Sequence, residues 1–220
     1  MKRDHIPASA VRRLSLYLRQ LESFLREDRR TVSSKALGEV LHLTDAQVRK
    51  DLAYFGQFGH PGVGYRVDEL IVRVRQILGT DKICNACVVG AGHLGTALLA
   101  YKGFAKRGFQ IVAVFDNSPS KVGREVSELG SVRIEPLSAM KERIRQDSIR
   151  LGILTVPEES AQEVAGQMIK AGIGGILNFA PVWLSVPAGY PVMNVDLSTD
   201  LEQLSYQMTE MGRGRSDGEQ

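Results

Sequence analysis

Residues 88–116 read VVGAGHLGTALLAYKGFAKRGFQIVAVFD, and their types and spacing suit one kind of chemistry, the holding of a dinucleotide. An apolar run through Val88 and Val89 leads into Gly90-Ala91-Gly92-His93-Leu94-Gly95. A helix-forming stretch follows, then a second apolar run from Ile111 to Phe115 that ends on Asp116. Gly90 permits the tight turn, Gly92 lets the backbone approach a pyrophosphate, and Gly95 lets the helix pack close to the strand. The helix N-terminus presents N–H groups and partial positive charge to the phosphates. Asp116 can accept hydrogen bonds from ribose hydroxyls, which favours NAD(H) over NADP(H). Lys121 is a further candidate cofactor-binding residue, and with Arg124, close in sequence, it would otherwise attract a 2′-phosphate.

The same residues give little sign of catalysis. A dehydrogenase needs a proton donor near the nicotinamide, often His, Lys or Tyr. The one histidine after residue 60 is His93, which reads as a solvent-facing side chain of the phosphate loop. The sheet itself uses up the second half of the chain and leaves no substrate domain. Cofactor binding without chemistry, and so a sensor in place of an enzyme, is the expectation. One rival is a small NAD-dependent oxidoreductase with an accessory N-terminal domain. Another is a CoA-binding module of the succinyl-CoA synthetase type, against which Asp116 argues because CoA carries a 3′-phosphate on its ribose. Cys84 and Cys87 form a C-x-x-C, but they lie in the first strand, not at a helix N-terminus where a thiolate is stabilised. Two buried, inert cysteines are expected.

The glycine loop is preceded by a basic half. Residues 1–78 hold 14 Lys and Arg against 9 Asp and Glu, a net of +5, and residues 79–220 hold 14 against 16, a net of −2. That asymmetry points to a polyanion partner for the first half alone. Val11, Leu14, Leu18, Leu21 and Leu25 recur at helical spacing, giving one long amphipathic helix. Ser33 or Ser34 can cap a second helix carrying Ala36, Leu37, Val40 and Leu41, followed by the short connection His42-Leu43. Thr44-Asp45-Ala46-Gln47 reads as a capping box, Thr44 capping Gln47 and Gln47 reaching back. A third helix then runs to about Phe55 and stops at Gly56, with Val48, Leu52 and Phe55 inside and Gln47, Lys50 and Tyr54 outside, flanked by Arg49 and Asp51. The segment GQFGHPGVGYRV predicts a β-hairpin wing, with Asp68 capping a fourth helix. Together these make a winged helix whose third helix enters the major groove of double-stranded DNA. The candidate contacts are Ser33, Ser34, Lys35, Thr44, Gln47, Arg49, Lys50 and Tyr54, with Gly62, Gly64 and Tyr65 from the wing.

The second half alternates β and α patterns. Short strands are expected at Val132–Ile134, Leu151–Val156, Ile176–Ala180 and Val192–Val195, with helices at Met140–Ile144 and from Glu158 to Ala171. The pattern predicts a doubly wound parallel sheet, whose ligands lie outside the carboxyl ends of its strands. That places Thr155-Val156-Pro157 and Asn178-Phe179-Ala180-Pro181 beside the nicotinamide. From Leu197 to Met211 an apolar stripe, Leu197, Leu201, Leu204, Met208 and Met211, recurs three or four residues apart, with Ser198 as the expected cap. It needs a partner, on its own chain or a second subunit. The expected domains are 1–79 (DNA-binding), 80–196 (nucleotide-binding), 197–212 (C-terminal helix) and 213–220 (a frayed tail). No apolar run reaches the roughly 18 residues that span a bilayer, and no signal peptide is evident, so a cytoplasmic protein is expected.

The segments SSKALGEVLHLTDAQVRKDLAYFGQFGHPGVGY (33–65), GAGHLGTALLAYKGF (90–104), FD (115–116), TVP (155–157), GILNFAP (175–181) and NVDLS (194–198) together resemble the Rex family of redox-sensing transcriptional repressors. The resemblance covers nearly the whole chain. It implies an α/β protein, an N-terminal winged helix plus a C-terminal Rossmann doubly wound parallel sheet with a swapped C-terminal helix, acting as a homodimer. It further implies binding to a pseudo-palindromic operator when free or with NAD⁺, and release with NADH. The family's switch residues match Arg19, Tyr101 and Asp196, while Leu197 stands where some members carry an aromatic that stacks on the nicotinamide.

Overall fold

The computed structural model describes residues 6–59, 62–130 and 132–216, with side chains described as far as 210. The chain divides into two compact units, 1–83 and 84–220.

The first unit is built on α1 (Ala8–Arg26). Its buried stripe is Ala10, Leu14, Tyr17, Leu18, Leu21 and Phe24. Val11, expected inside, is exposed. The aromatic residues Tyr17 and Phe24 turn the buried face away from it. Emptying one such site, as in a buried Leu→Ala change, costs about 2–5 kcal/mol, so this stripe decides how α1 docks. Helices α2 (Ser34–Leu41) and α3 (Asp45–Ala53) follow, and Leu37, Val48 and Leu52 complete the core with Leu70, Ile71 and Val74 of α4 (Val67–Leu78). Ser33 caps α2, accepting from the Ala36 N–H at 3.1 Å, and Thr44 caps α3, accepting from Gln47 N–H at 3.1 Å. Each cap contributes roughly 1 kcal/mol.

Further expectations for this unit need correction. The capping box is half made, because the Gln47 amide donates to Asp51 Oδ1 at 2.7 Å and not back to residue 44. Asp51 is fully buried, not on the outer flank. No hairpin forms among the described residues of 56–67. The strand there, β2 (Tyr65–Arg66), pairs antiparallel with β1 (Thr31–Val32), between α1 and α2. Gly59, Gly62 and Gly64 adopt φ of +78°, +79° and +86°, which turns the chain repeatedly and prevents two regular strands. Finally, α4 starts at Val67 with Arg66 as its cap residue, so Asp68 lies in the first turn.

The second unit contains a six-stranded parallel sheet. Its strands are β3 (Cys84–Val89), β4 (Phe109–Phe115), β5 (Ile134–Glu135), β6 (Leu151–Leu154), β7 (Gly175–Asn178) and β8 (Val192–Asn194). Their order across the sheet is β5-β4-β3-β6-β7-β8, which counts as 3-2-1-4-5-6 within the unit, the doubly wound order. Alternation along β3 sends Cys87 and Val89 to one core with α6 (Met140–Gln146) and α7 (Glu158–Ala171). Val88 goes to the other, which Leu99 of α5 (His93–Leu99) covers. Cys87 is buried and its thiol is pushed up to about 12 by burial, as expected of an inert side chain, but Cys84 at the strand's start is half-buried.

Helix α8 runs from Leu197 to Ser216. Residues 213–216, expected to fray, are helical, and 217–220 lie outside the described residues. Asp196 caps the helix, not Ser198. Its Oδ1 accepts from the Ser198 N–H at 2.9 Å and its Oδ2 from the Thr199 hydroxyl at 3.0 Å.

Candidate nucleotide and nucleic-acid sites

The order of the strands reverses between β3 and β6, which opens a crevice at their carboxyl ends. The loop Gly90–Gly95 fills one side of it. Gly90 has φ of +103°, and a Cβ there would stand 2.6 Å from Thr155 O. A Cβ on Gly95 would lie 1.9 Å from Gly90 O, so this glycine is what lets α5 fold back over the strand end. Around Gly92 nothing lies within 4 Å of an added Cβ. The loop therefore has two glycines required by the protein and one facing open space, a cradle a side chain would fill. That arrangement fits the pyrophosphate of a dinucleotide.

Asp116, at the end of β4, is buried beside this loop. Its Oδ2 accepts from the Ala91 N–H at 2.8 Å and from Lys121 Nζ at 3.0 Å, and its Oδ1 accepts from the Ser118 N–H at 2.7 Å. Burial alone would raise the carboxyl, but the Ser118 N–H, Lys121 and the Ala91 N–H outweigh it and hold the group ionised below the usual range. An ionised acceptor touching the middle of the glycine loop is what two ribose hydroxyls need. The Lys121 ammonium is neutralised by the same carboxylate.

Other residues expected beside the cofactor brace the crevice. Thr155 donates its hydroxyl to Gly90 O at 2.7 Å, tying β6 to the glycine loop. Asn178 is fully buried, its amide donating to Val182 O and Asn194 Oδ1 at 2.9 Å each while its Oδ1 accepts from the Ala180 N–H at 3.0 Å. Its side chain is therefore spent on holding the loop after β7. Ala180 is buried, Val156 and Phe179 are half-buried, and His93, Leu94, Pro157 and Pro181 are exposed. Tyr101 is exposed and meets Phe104 edge-on at 5.1 Å between ring centroids. Asp196 is committed to the α8 cap, with the Thr199 and Ser198 hydrogen bonds holding its carboxyl below the usual range.

On the first unit, Arg49 reaches Asp45 Oδ2 at 2.6 Å and Ser34 Oγ at 3.1 Å, which ties the outer face of α3 to the start of α2. Lys35 and Lys50 are exposed, and Tyr54 is half-buried at the end of α3. Gly62 and Gly64 belong to the turning loop beside them. Tyr65, expected on the DNA-facing wing, is a core residue, because pairing of β2 with β1 directs its ring inward. Arg19 lies on the exposed face of α1. Among the described residues no cluster of His, Cys, Asp or Glu could hold a metal, and no helix is long and apolar enough to cross a membrane.

A small helical unit with two short capped helices, α2 and α3, joined to a Rossmann unit with an acid-tipped glycine loop defines a nucleotide-responsive DNA-binding regulator. The family model described as "Putative DNA-binding protein N-terminus" matches residues 5–53, and the model described as CoA binding domain matches 81–182. The chain is 47% identical to the redox-sensing transcriptional repressor Rex of Carboxydothermus hydrogenoformans over 94% of this chain and 98% of that one. It is 46% identical to the Rex of Pelotomaculum thermopropionicum over 96% and 97%. The solved complex of RSP with β-NAD⁺ and operator DNA superimposes with a TM-score of 0.88 at 36% identity, over 98% of this chain and 99% of that one. The complex of RSP with β-NADH gives 0.84 at 35%, over 97% and 99%. The chain belongs to the Rex family of redox-sensing transcriptional repressors.

Proposed function

We propose that this chain is a transcriptional repressor that reads the NADH/NAD⁺ ratio, NADH on the Rossmann unit releasing it from a pseudo-palindromic operator. The carrying observation is the glycine cradle with its ionised Asp116, in a chain alike along nearly its whole length to a protein solved with β-NAD⁺ and operator DNA. The CoA-binding model covers the same sheet, and Asp116 favours a ribose with free hydroxyls over one bearing a 3′-phosphate. The protein acts in the cytoplasm and is not an enzyme.

In this reading Gly90–Gly95 hold the pyrophosphate, Asp116 the adenosine ribose, and Thr155–Pro157 and Asn178–Pro181 shape the nicotinamide end. Ser34, Lys35, Arg49, Lys50 and the Gly62–Gly64 loop meet DNA. The protein acts as a homodimer with α8 swapped onto the partner. Asp196, Tyr101 and Arg19 form the switch, in which the charge of the nicotinamide ring biases the choice of partner for Asp196. A ligand can shift the two arrangements only by its differential affinity for them.

Titrating a labelled operator complex with each nucleotide separately tests the proposal. NADH is expected to displace the protein and NAD⁺ to leave it bound, with a typical coupling of about 1–3 kcal/mol. No displacement by NADH overturns the reading, and steady-state turnover of NADH with a carbonyl substrate would favour the oxidoreductase. A second expectation concerns Asp116→Ala, which removes the ribose acceptor and frees Lys121. NADH affinity should fall by about 1.5–3 kcal/mol, the range of a hydrogen bond to a charged group, and NADPH should lose less. Finding that the parent protein binds NADPH as tightly as NADH contradicts the ribose assignment.

A further inference from the structure

Asp51 is a fully buried carboxylate on α3 that neither nucleotide binding nor DNA contact uses. It accepts four hydrogen bonds. Oδ1 receives Arg13 Nη2 at 2.8 Å and Gln47 Nε2 at 2.7 Å. Oδ2 receives Arg13 Nε at 2.5 Å and the Tyr17 hydroxyl at 2.6 Å. Arg13 and Tyr17 stand one turn apart on α1, and Gln47 and Asp51 one turn apart on α3, so two helices meet at one carboxylate. Burial alone would raise the Asp51 carboxyl, yet the bonds from Arg13, Tyr17 and Gln47 outweigh it and keep it charged.

Adhesion does not explain such a site. Well-packed apolar side chains of the same volume commonly hold two helices together as well as a buried ion pair or better. What the carboxylate adds is direction. The bidentate guanidinium fork fixes angle as well as distance, and a half-satisfied network costs more than none. Arg49 and Lys50 immediately precede Asp51 on the same turn, on the exposed side of the helix.

We propose that Asp51 is a positioning residue for sequence reading: with Arg13, Tyr17 and Gln47 it locks α3 against α1 and sets the register in which Arg49 and Lys50 meet DNA. The inference rests on α3 being the recognition helix. It also reassigns Gln47 from base contact to the lock, since its amide points inward to Asp51. Base-edge hydrogen bonds tolerate only a few tenths of an ångström, whereas attraction to phosphates acts over roughly 8–10 Å. A loosened lock should therefore lose specific binding and keep non-specific binding.

The test uses the full-length protein, with a duplex selected from a randomised pool by the parent and a scrambled duplex of equal length. Asp51→Asn turns one acceptor into a donor facing donors. The ratio of scrambled to selected Kd should fall by at least about tenfold, comparable to losing one base pair's reading. Scrambled-duplex affinity, NADH affinity and the helical circular-dichroism signal should stay near parental. Tyr17→Phe, which removes one bond of four, should lower the ratio less and serves if Asp51→Asn does not fold. An unchanged ratio in either folded variant, with only the melting temperature lowered, overturns the proposal and leaves Asp51 a structural cement. Lys50→Ala separates the underlying reading. If it binds the selected duplex like the parent, the recognition-helix assignment falls and the lock with it. If it loses binding while Asp51→Asn keeps it, only the lock falls.

Discussion

Gly92→Val is expected to give a folded repressor that binds its operator and no longer responds to NADH. Gly92 has φ −81° and ψ −167°, an extended conformation open to any residue, so valine imposes no backbone strain. No atom lies within 4 Å of its added Cβ, so the protein itself has room. The side chain would instead occupy the space in front of the glycine loop, where the pyrophosphate backbone contact must form. Dinucleotide affinity should drop by at least about a hundredfold, 2.7 kcal/mol. The thermal midpoint of the apo protein should fall only slightly, by the amount that valine is a poorer N-cap of α5 than glycine. Gly95→Ala provides the contrast, because its Cβ would overlap Gly90 O and the strand–helix junction must shift. It should lower the midpoint as well as the affinity. Titration by nicotinamide fluorescence together with thermal melts separates the two outcomes. Parental NADH affinity in Gly92→Val would mean that the pyrophosphate lies elsewhere.

The nucleotide crevice was legible because each of its requirements is local. A tight turn, an open approach and a close helix packing demand glycine at fixed positions, and the acid must end the next strand. The helix from Glu158 to Ala171 was equally legible, since its period is unbroken and Gly172 closes it in the left-handed region. What sequence reading missed depends on partners far away in the chain. Asp51 reads as one more charge beside Arg49 and Lys50 until Arg13, 38 residues earlier, is seen to reach it. A signal was present, since Asp51 falls between Val48 and Leu52 on the side of α3 next to the apolar stripe, but a lone carboxylate there usually faces water. Tyr65 was misplaced because the pairing of β2 with β1 spans the whole of α2 and α3, and no local pattern announces it. The strand expected at Ile176–Ala180 lies at Gly175–Asn178, so Asn178 ends it and does not sit at its centre. That its side chain would be spent on the following loop and on the neighbouring strand β8 could not be read without the position of Asn194.

Deleting residues 197–220 is expected to abolish the proposed dimer and with it tight operator binding, while the remaining second unit keeps its fold. Leu197, Leu201, Leu204, Tyr206 and Met208 are 63%, 66%, 51%, 65% and 65% exposed, so α8 presents apolar side chains that its own chain does not cover. Such a helix contributes little to the unit that carries it, because most helical stability in proteins comes from packing of an apolar face, and this face is uncovered. Exposed apolar surface of this extent marks an interaction site. The proposed exchange of the helix between two copies would bury both faces at once in a symmetric, closed contact. Two DNA-binding units held together gain about 10²–10⁴ in avidity over one, and the truncated chain should lose that factor on a palindromic duplex. On a duplex carrying a single half-site it should bind almost as the parent does. Sedimentation velocity reads the assembly and anisotropy the two duplexes. The truncated protein should still bind NADH through the glycine loop, because Gly90–Gly95 and Asp116 lie on other elements. An unchanged dimer after the deletion would refute the exchange of α8. A monomer that retained full affinity for the palindrome would instead refute the coupling of assembly to recognition, because each half-site would then be read independently.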